Sequence, residues 1–293
     1  MSVGHTPLPV KSGESGAVLV SALLSLVLLV FVLASIALLI VNRSSAIAID
    51  SDQVAVDLLT KSGLEIGVYH VMTTPKERAV EGEDNITLSE GEVAIIWRGE
   101  NARLDINTAP QQSITDLIKA FSSASDEPEK IAQRIVERRG DSPQANPSPD
   151  RLNAPQIRQR PFAHPVELLS IDGLSPELYH RLSPFITIYS GTKAMDPRIA
   201  SETVLSHLPG MTNLRLQSLL SLRGKSQADS IAVLKELGFG TSDLDVQRSL
   251  TTRFTLNVRL TSGLIKVSEC VVAIFPDDVE PYRILYADAM PKN

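Results

Sequence analysis

The chain is poor in the residue types that most often announce chemistry. It has 293 residues and one cysteine, Cys270, which excludes an intramolecular disulfide and any cysteine-based metal knuckle. Aromatics make up 4%, too few for a surface that stacks bases or sugars. The formal charge is −6, so the chain has no general electrostatic attraction to phosphate backbones. The five histidines, His5, His70, His164, His180 and His207, show no paired metal spacing such as H-E-x-x-H. His180 and His207 fall in predicted helices and read as surface or capping residues. Two acidic clusters, around Glu83-Asp84 and Asp277-Asp278, read as solvated loops. Nothing here assembles a catalytic constellation, and no enzymatic activity is expected.

What the chain does have is one long apolar run. Residues 17–41 carry no charge and no proline. About 20 apolar residues cross a bilayer as a helix, because every backbone polar group must be satisfied internally there. A secretory h-region is shorter, roughly 7–15 residues, and ends in a cleavage site that removes it. Residues 17–41 therefore read as a retained anchor. Basic residues flank it thinly, with Lys11 before and Arg43 after, so the short leading segment is what favours an exported body. The helical pattern continues through residues 42–72, with Ile47, Val54, Leu58, Leu59, Ile66 and Tyr69 at helical spacings, and Thr73, Thr74 and Pro75 end it. This stem either packs on its own domain or serves as a rod partly in lipid; the two are compatible.

The body predicts α+β architecture. A hairpin is expected from residues 92–98 and 102–106 around a turn at Gly99-Glu100-Asn101. Asn107 or Thr108, with Pro110, should cap a helix over 111–122. A second helix over 127–139 ends at Gly140, and 141–161 is loop. Two similar units follow. Residues 165–174 lead through Gly173 into a helix from Ser175 to Leu182, and residues 201–211 lead through Gly210 into a helix over 213–223, with Ser175 and Thr212 as N-caps. A strand is expected at 185–189, a helix at 227–237, and strands at 253–260, 265–274 and 283–287 with a hairpin turn at 261–263. The helical block is thus inserted into a sheet whose parts lie at both ends of the body.

The polar leader 1–16 ends in Gly16, directly against the apolar run, and resembles the leaders of type IV pilin-like proteins. There a membrane peptidase cuts after a glycine and leaves the helix in place, so Ala17 would be the first mature residue. The fifth mature position, a glutamate in most such proteins, is Ser21 here. Taken with Val18-Leu-Val-Ser-Ala-Leu-Leu24, Leu104-Asp-Ile-Asn-Thr-Ala-Pro110, the stretch from Phe162 to Leu174, Tyr179, Pro184-Phe-Ile-Thr187, and Leu205 to Met211, the chain resembles minor pseudopilin K of type II secretion (general secretion pathway protein K, GspK). Met195-Asp-Pro-Arg-Ile-Ala-Ser201 stands where that family has a second Asn-x-Asn-Thr-Ala segment.

The resemblance implies a domain order: leader 1–16, transmembrane helix 17–41, stem continuation 42–74, pilin-like β segment 75–106, inserted mainly helical domain 107–250 with helix-hairpin-helix-like units, and C-terminal pilin-like β segment 251–293. It also implies a single-pass inner-membrane protein with a periplasmic body. Its partners would be other minor pseudopilins in a tip complex, the major pseudopilin and the prepilin peptidase. The family lacks the glutamate at the fifth mature position, which agrees with Ser21. It is linked with calcium, but no ligands can be assigned residue by residue. Two alternatives stand beside it. One is a type IV pilus minor pilin. The other is a membrane-anchored helix-hairpin-helix DNA receptor, opposed by Gly173-Leu-Ser175 and Gly210-Met-Thr212, which lack the second glycine of the phosphate-binding turn.

Overall fold

The computed structural model describes residues 14–123, 126–140, 160–208, 210–239 and 244–288, with side chains of the first helix described for 18–36 and from 51 onward. The chain divides into two compact units, 1–55 and 56–293. Helix α1 spans Glu14–Thr73. It supplies the first unit and, from Val56, one layer of the second.

In the second unit that layer lies on a five-stranded antiparallel sheet of order β1-β2-β5-β6-β7. The strands are β1 (Glu81–Leu88), β2 (Gly91–Gly99), β5 (Thr251–Leu260), β6 (Ile265–Ile274) and β7 (Tyr282–Asp288). Val56, Leu59, Leu64, Val68 and Val71 are buried on α1, and Val93, Ile95, Phe254, Leu256 and Val258 are buried on the strands. Two glycines set how closely these layers meet. A Cβ on Gly63 would sit 2.8 Å from Val93 Cγ1, and one on Gly67 would sit 2.7 Å from Phe254 Cε1. Both distances are closer than carbon atoms tolerate, so the four-residue spacing of these glycines lets helix and sheet approach.

The helical block lies between β2 and β5 in the sequence. It contains β3 (Leu104–Asp105), α2 (Gln111–Phe121), α3 (Pro128–Arg139), α4 (Pro176–Leu182), β4 (Ile186–Thr187), α5 (Glu202–Ser206), α6 (Asn213–Leu220) and α7 (Gln227–Glu236). Leu104, Ile114, Ile118, Ile131, Ile135, Leu168, Leu178 and Leu205 form its core. Ser175 and Thr212 cap α4 and α6 by accepting from Leu178 N and Arg215 N. Gly140 closes α3 in the left-handed conformation. The α+β class and the inserted helical block agree with the sequence reading.

Several local expectations are corrected. Residues 99–102 do not turn a hairpin. Glu100–Ala102 is a 3-10 turn, and β2 pairs instead with β1 and with β5 (Trp97 opposite Phe254). β3 leaves the main sheet and pairs in parallel with β4. The Glu83-Asp84 cluster is not a loop but lies inside β1. Asn107 and Thr108 do not cap α2, whose N-cap Pro110 has no side-chain bond. On the stem, Leu59 is buried as expected, but Val54, Leu58 and Tyr69 face outward, and the buried ridge continues instead through Leu64, Val68 and Val71. The strand expected at 185–189 shortens to Ile186–Thr187, preceded by a 3-10 turn. The first repeated unit opens with a 3-10 helix, Pro165–Ser170.

Candidate functional site

Three places carry the functional argument: the apolar helix, the junction of the sheet with the helical block, and the outward surface of the second unit.

Every residue of 18–36 is exposed, although nearly all are apolar. The segment Val18–Ile36 is long and apolar enough to cross a membrane; 19 residues of α-helix extend about 28 Å, close to a bilayer's hydrocarbon thickness. Its hydroxyls return to the helix backbone. Ser21 Oγ donates to Val18 O at 2.9 Å and Ser25 Oγ to Ser21 O at 2.9 Å, so each serine's donor is satisfied within the helix. Gly16 and Ala17 lie in the first turn of α1.

At the junction the polar groups are buried and paired. Glu100, 1% exposed, accepts from Arg253 Nε at 2.5 Å and from the Thr187 hydroxyl. Arg253 Nη1 reaches Glu269 at 2.8 Å. Burial works against the Arg253 charge, yet Glu100 and Glu269 outweigh it and hold the guanidinium protonated more firmly than usual. Arg103, with less help, is pushed down by burial. Asp105 accepts from Gly191 N (2.8 Å), Ser190 Oγ (3.0 Å) and Asn107 N (2.8 Å); burial still raises its pKa. Asn107 bonds both ways to the Phe162 backbone, and Thr108 Oγ1 donates to Thr192 O. The polar side chains of the Leu104–Pro110 motif therefore tie two distant segments together, at Phe162 and at 190–192, rather than capping α2.

Two features of this junction were not read from the sequence. Arg198, 1% exposed, chelates Asp196 at 2.6 Å and donates to Glu77 O and Val246 O. It sits in the 195–201 segment, where the chain departs from the family pattern. Arg248 donates to Val71 O (2.6 Å) in the last turn of α1 and to Thr74 O (2.7 Å) just past its end. The nearest sequence signal is the type of residue, since arginine alone offers a fork of donors to several carbonyls.

The histidines do not converge. His70 Nε2 lies 3.0 Å from Asp84 Oδ2 and its ring stacks on Trp97. His164 Nδ1 accepts from Val166 N. The His180 ring tilts against Tyr179, and the His207 ring against Phe121. His5 lies outside the described residues. Among the described residues no group of three or more His, Cys, Asp or Glu side chains comes together to hold a metal ion. No calcium ligand set is assigned. At the two glycine turns, Asp172 O accepts from Arg134 and Gly210 O from Arg215, so both turns are braced by arginines of the block itself.

No curated protein matches the chain. Residues 89–191 match the family described as Type II secretion system (T2SS), protein K. Among solved structures, the fold matches a chain of the crystal structure of the GspK-GspI-GspJ complex from the enterotoxigenic Escherichia coli Type 2 Secretion System. The TM-score is 0.59 at 15% identity, covering 83% of this chain and 98% of that one. The matched stretch 89–191 runs from β2 through β4 and takes in Glu100, Asp105, Thr187 and Ser190, half of the buried junction. The chain is thus similar to Type II secretion system (T2SS), protein K over residues 89–191, a stretch that begins at β2 and runs into the inserted helical block, and it shares its fold with a chain of the GspK-GspI-GspJ complex.

Proposed function

We propose that this chain works as a minor pseudopilin in the tip complex of a type II secretion pseudopilus, assembling with other minor pseudopilins and performing no reaction. The observation that supports this most is the pairing of an exposed apolar helix, Val18–Ile36, with a body that carries the protein K signature. A solved structure with the same fold is a chain of a GspK-GspI-GspJ complex of a Type 2 Secretion System. The apolar helix holds the subunit in the inner membrane until it is drawn into the fibre beside the major pseudopilin, with the body on the periplasmic side.

The prepilin peptidase would cut between Gly16 and Ala17 and leave the helix in place. In this reading, Ser21 marks a subunit with no neighbour ahead of it. A carboxylate at that depth needs a partner, and without one its burial costs several kcal/mol. A serine whose hydroxyl bonds Val18 O needs none. The helical block also widens the body beside the sheet, which suits a terminal position over a repeated one. The net charge of −6 and the arginine-braced turns support a protein partner over a nucleic acid.

The test is assembly. The full chain, co-expressed with the other minor pseudopilins of its own secretion system, should co-purify with them from detergent-solubilised membranes. Gold label on its body should fall at fibre ends. Label spread along the shaft, or no co-purification, would refute the proposal.

A further inference from the structure

The main sheet has two edges, and they are built differently. An edge strand offers unpaired backbone donors and acceptors, so soluble proteins guard such edges with charge, proline, bulges or a covering element. β1 is guarded by charge: Glu81, Glu83 and Asp84 lie along it, and Asp84 is held by His70. β7, at the other edge, has a strand neighbour on one side only, β6. It contains no proline or lysine. Its one basic residue, Arg283, is turned back to Asp278 (3.4 Å), Glu280 (3.5 Å) and the Phe275 ring.

The middle of β7 is apolar and open. Ile284 and Leu285 are 44% and 47% exposed, and Val279, in the loop leading into the strand, is 97% exposed. Val271 stands opposite Tyr286 and Val272 opposite Ile284, so Leu285 has no opposite residue on β6. This bulge is the one interruption in the ladder between β6 and β7. Past it, the Tyr286 ring lies 5.7 Å from His164 and 6.2 Å from Tyr189. Exposed Val166 and Leu169 lie close by in sequence to His164. The free edge thus runs onto a shelf where the helical block meets the sheet.

Charge frames this apolar strip at both ends. Asp277, Asp278 and Glu280 precede β7, while Asp288 closes it opposite Glu269. A backbone edge recognises another extended backbone. An apolar centre between acidic ends recognises a segment that is apolar in the middle and basic at its flanks.

We propose that β7 is a strand-addition site for an extended segment of a neighbouring pseudopilin subunit, apolar or aromatic at its centre with lysine or arginine at its ends. The segment would pair along Tyr282–Asp288 and seat a side chain on the Tyr286–His164 shelf. This rests on the assembly role proposed above and names the surface that carries it.

The test is amide hydrogen exchange on the full-length chain in mild detergent, measured alone and in the co-purified complex with its partner pseudopilins. Assembly should slow exchange in β7 by about tenfold or more, because an added strand removes local opening. The β1 amides should change little. A parallel test substitutes Leu285→Lys, and separately Ile284→Lys. Both positions are half-exposed, so the variants should keep the wild-type melting transition while retaining about tenfold less partner. Equal β7 exchange in the free and assembled chain would overturn this proposal, even with assembly intact. So would strong protection of the β7 amides already in the free chain, which would mean that the edge is not open. Failure of the wild-type chain to assemble at all would instead refute the parent reading, and this one with it.

Discussion

Replacing Glu100 by alanine should destabilise the second unit by about 3–5 kcal/mol, because it strands a buried guanidinium. Glu100 is completely enclosed, and its two oxygens serve Arg253 and the Thr187 hydroxyl. Without it, Arg253 keeps only Glu269, which is 37% exposed and shared with Arg103 at 3.9 Å. Thr187 also loses its acceptor, a separate loss of about 1–3 kcal/mol when no water replaces it. These losses are coupled and do not add. Glu269 relieves part of the first, so the lower end of the range is expected. Urea denaturation of the full chain in detergent, followed by Trp97 fluorescence, measures the loss as a shift in midpoint at constant slope. A Glu100→Leu/Arg253→Met double variant removes both charges and should recover most of the stability. A loss below about 1 kcal/mol for Glu100→Ala would refute the reasoning, since that is the range of an exposed ion pair.

Other outcomes follow from the same structure. Gly67→Leu should destabilise by about 1–3 kcal/mol through overpacking against Phe254 and Ile95, whatever it gains in helix propensity; an unchanged melting temperature would contradict the close approach. The Cys270 thiol is pushed from its ordinary 9.0 up to about 12, mainly by burial. Above that ordinary value the unfolded thiol ionises while the folded one keeps its proton. Stability should therefore fall as pH rises from 9.0 towards 12, by up to about 1.4 kcal/mol per unit, and Cys270→Ala should flatten that slope. Ser21→Glu should leave the chain membrane-bound but lower its recovery in the fibre-tip complex, read by quantitative immunoblot of isolated fibres.

The architecture was legible where the pattern was local. The run 17–41, the glycine stop at Gly140, and the caps Ser175 and Thr212 each announce themselves within a few residues. The failures share a cause: their partners are far away in sequence. β2 was paired with its nearest neighbour because nothing local signals β5, about 150 residues on. β1 was read as loop because an edge strand carrying Glu81, Glu83 and Asp84 shows no apolar alternation. Asn107 and Thr108 have the chemistry of helix caps, but Phe162 and Thr192 claim it first. Of the candidate site, the apolar run that carries Ser21 is legible from composition alone. The buried junction was not, because Glu100, Asp196, Arg198 and Arg253 are the residue types normally exposed.

The account depends most on a hydrophobic helix that is trimmed in front and then kept. Intact-mass and N-terminal peptide mass spectrometry of the native chain, extracted from membranes, tests this directly. The account predicts a mature polypeptide that starts at Ala17 and retains Val18–Ile36. An intact Met1 in the assembled fibre, or a soluble body cut beyond Val41, would contradict it.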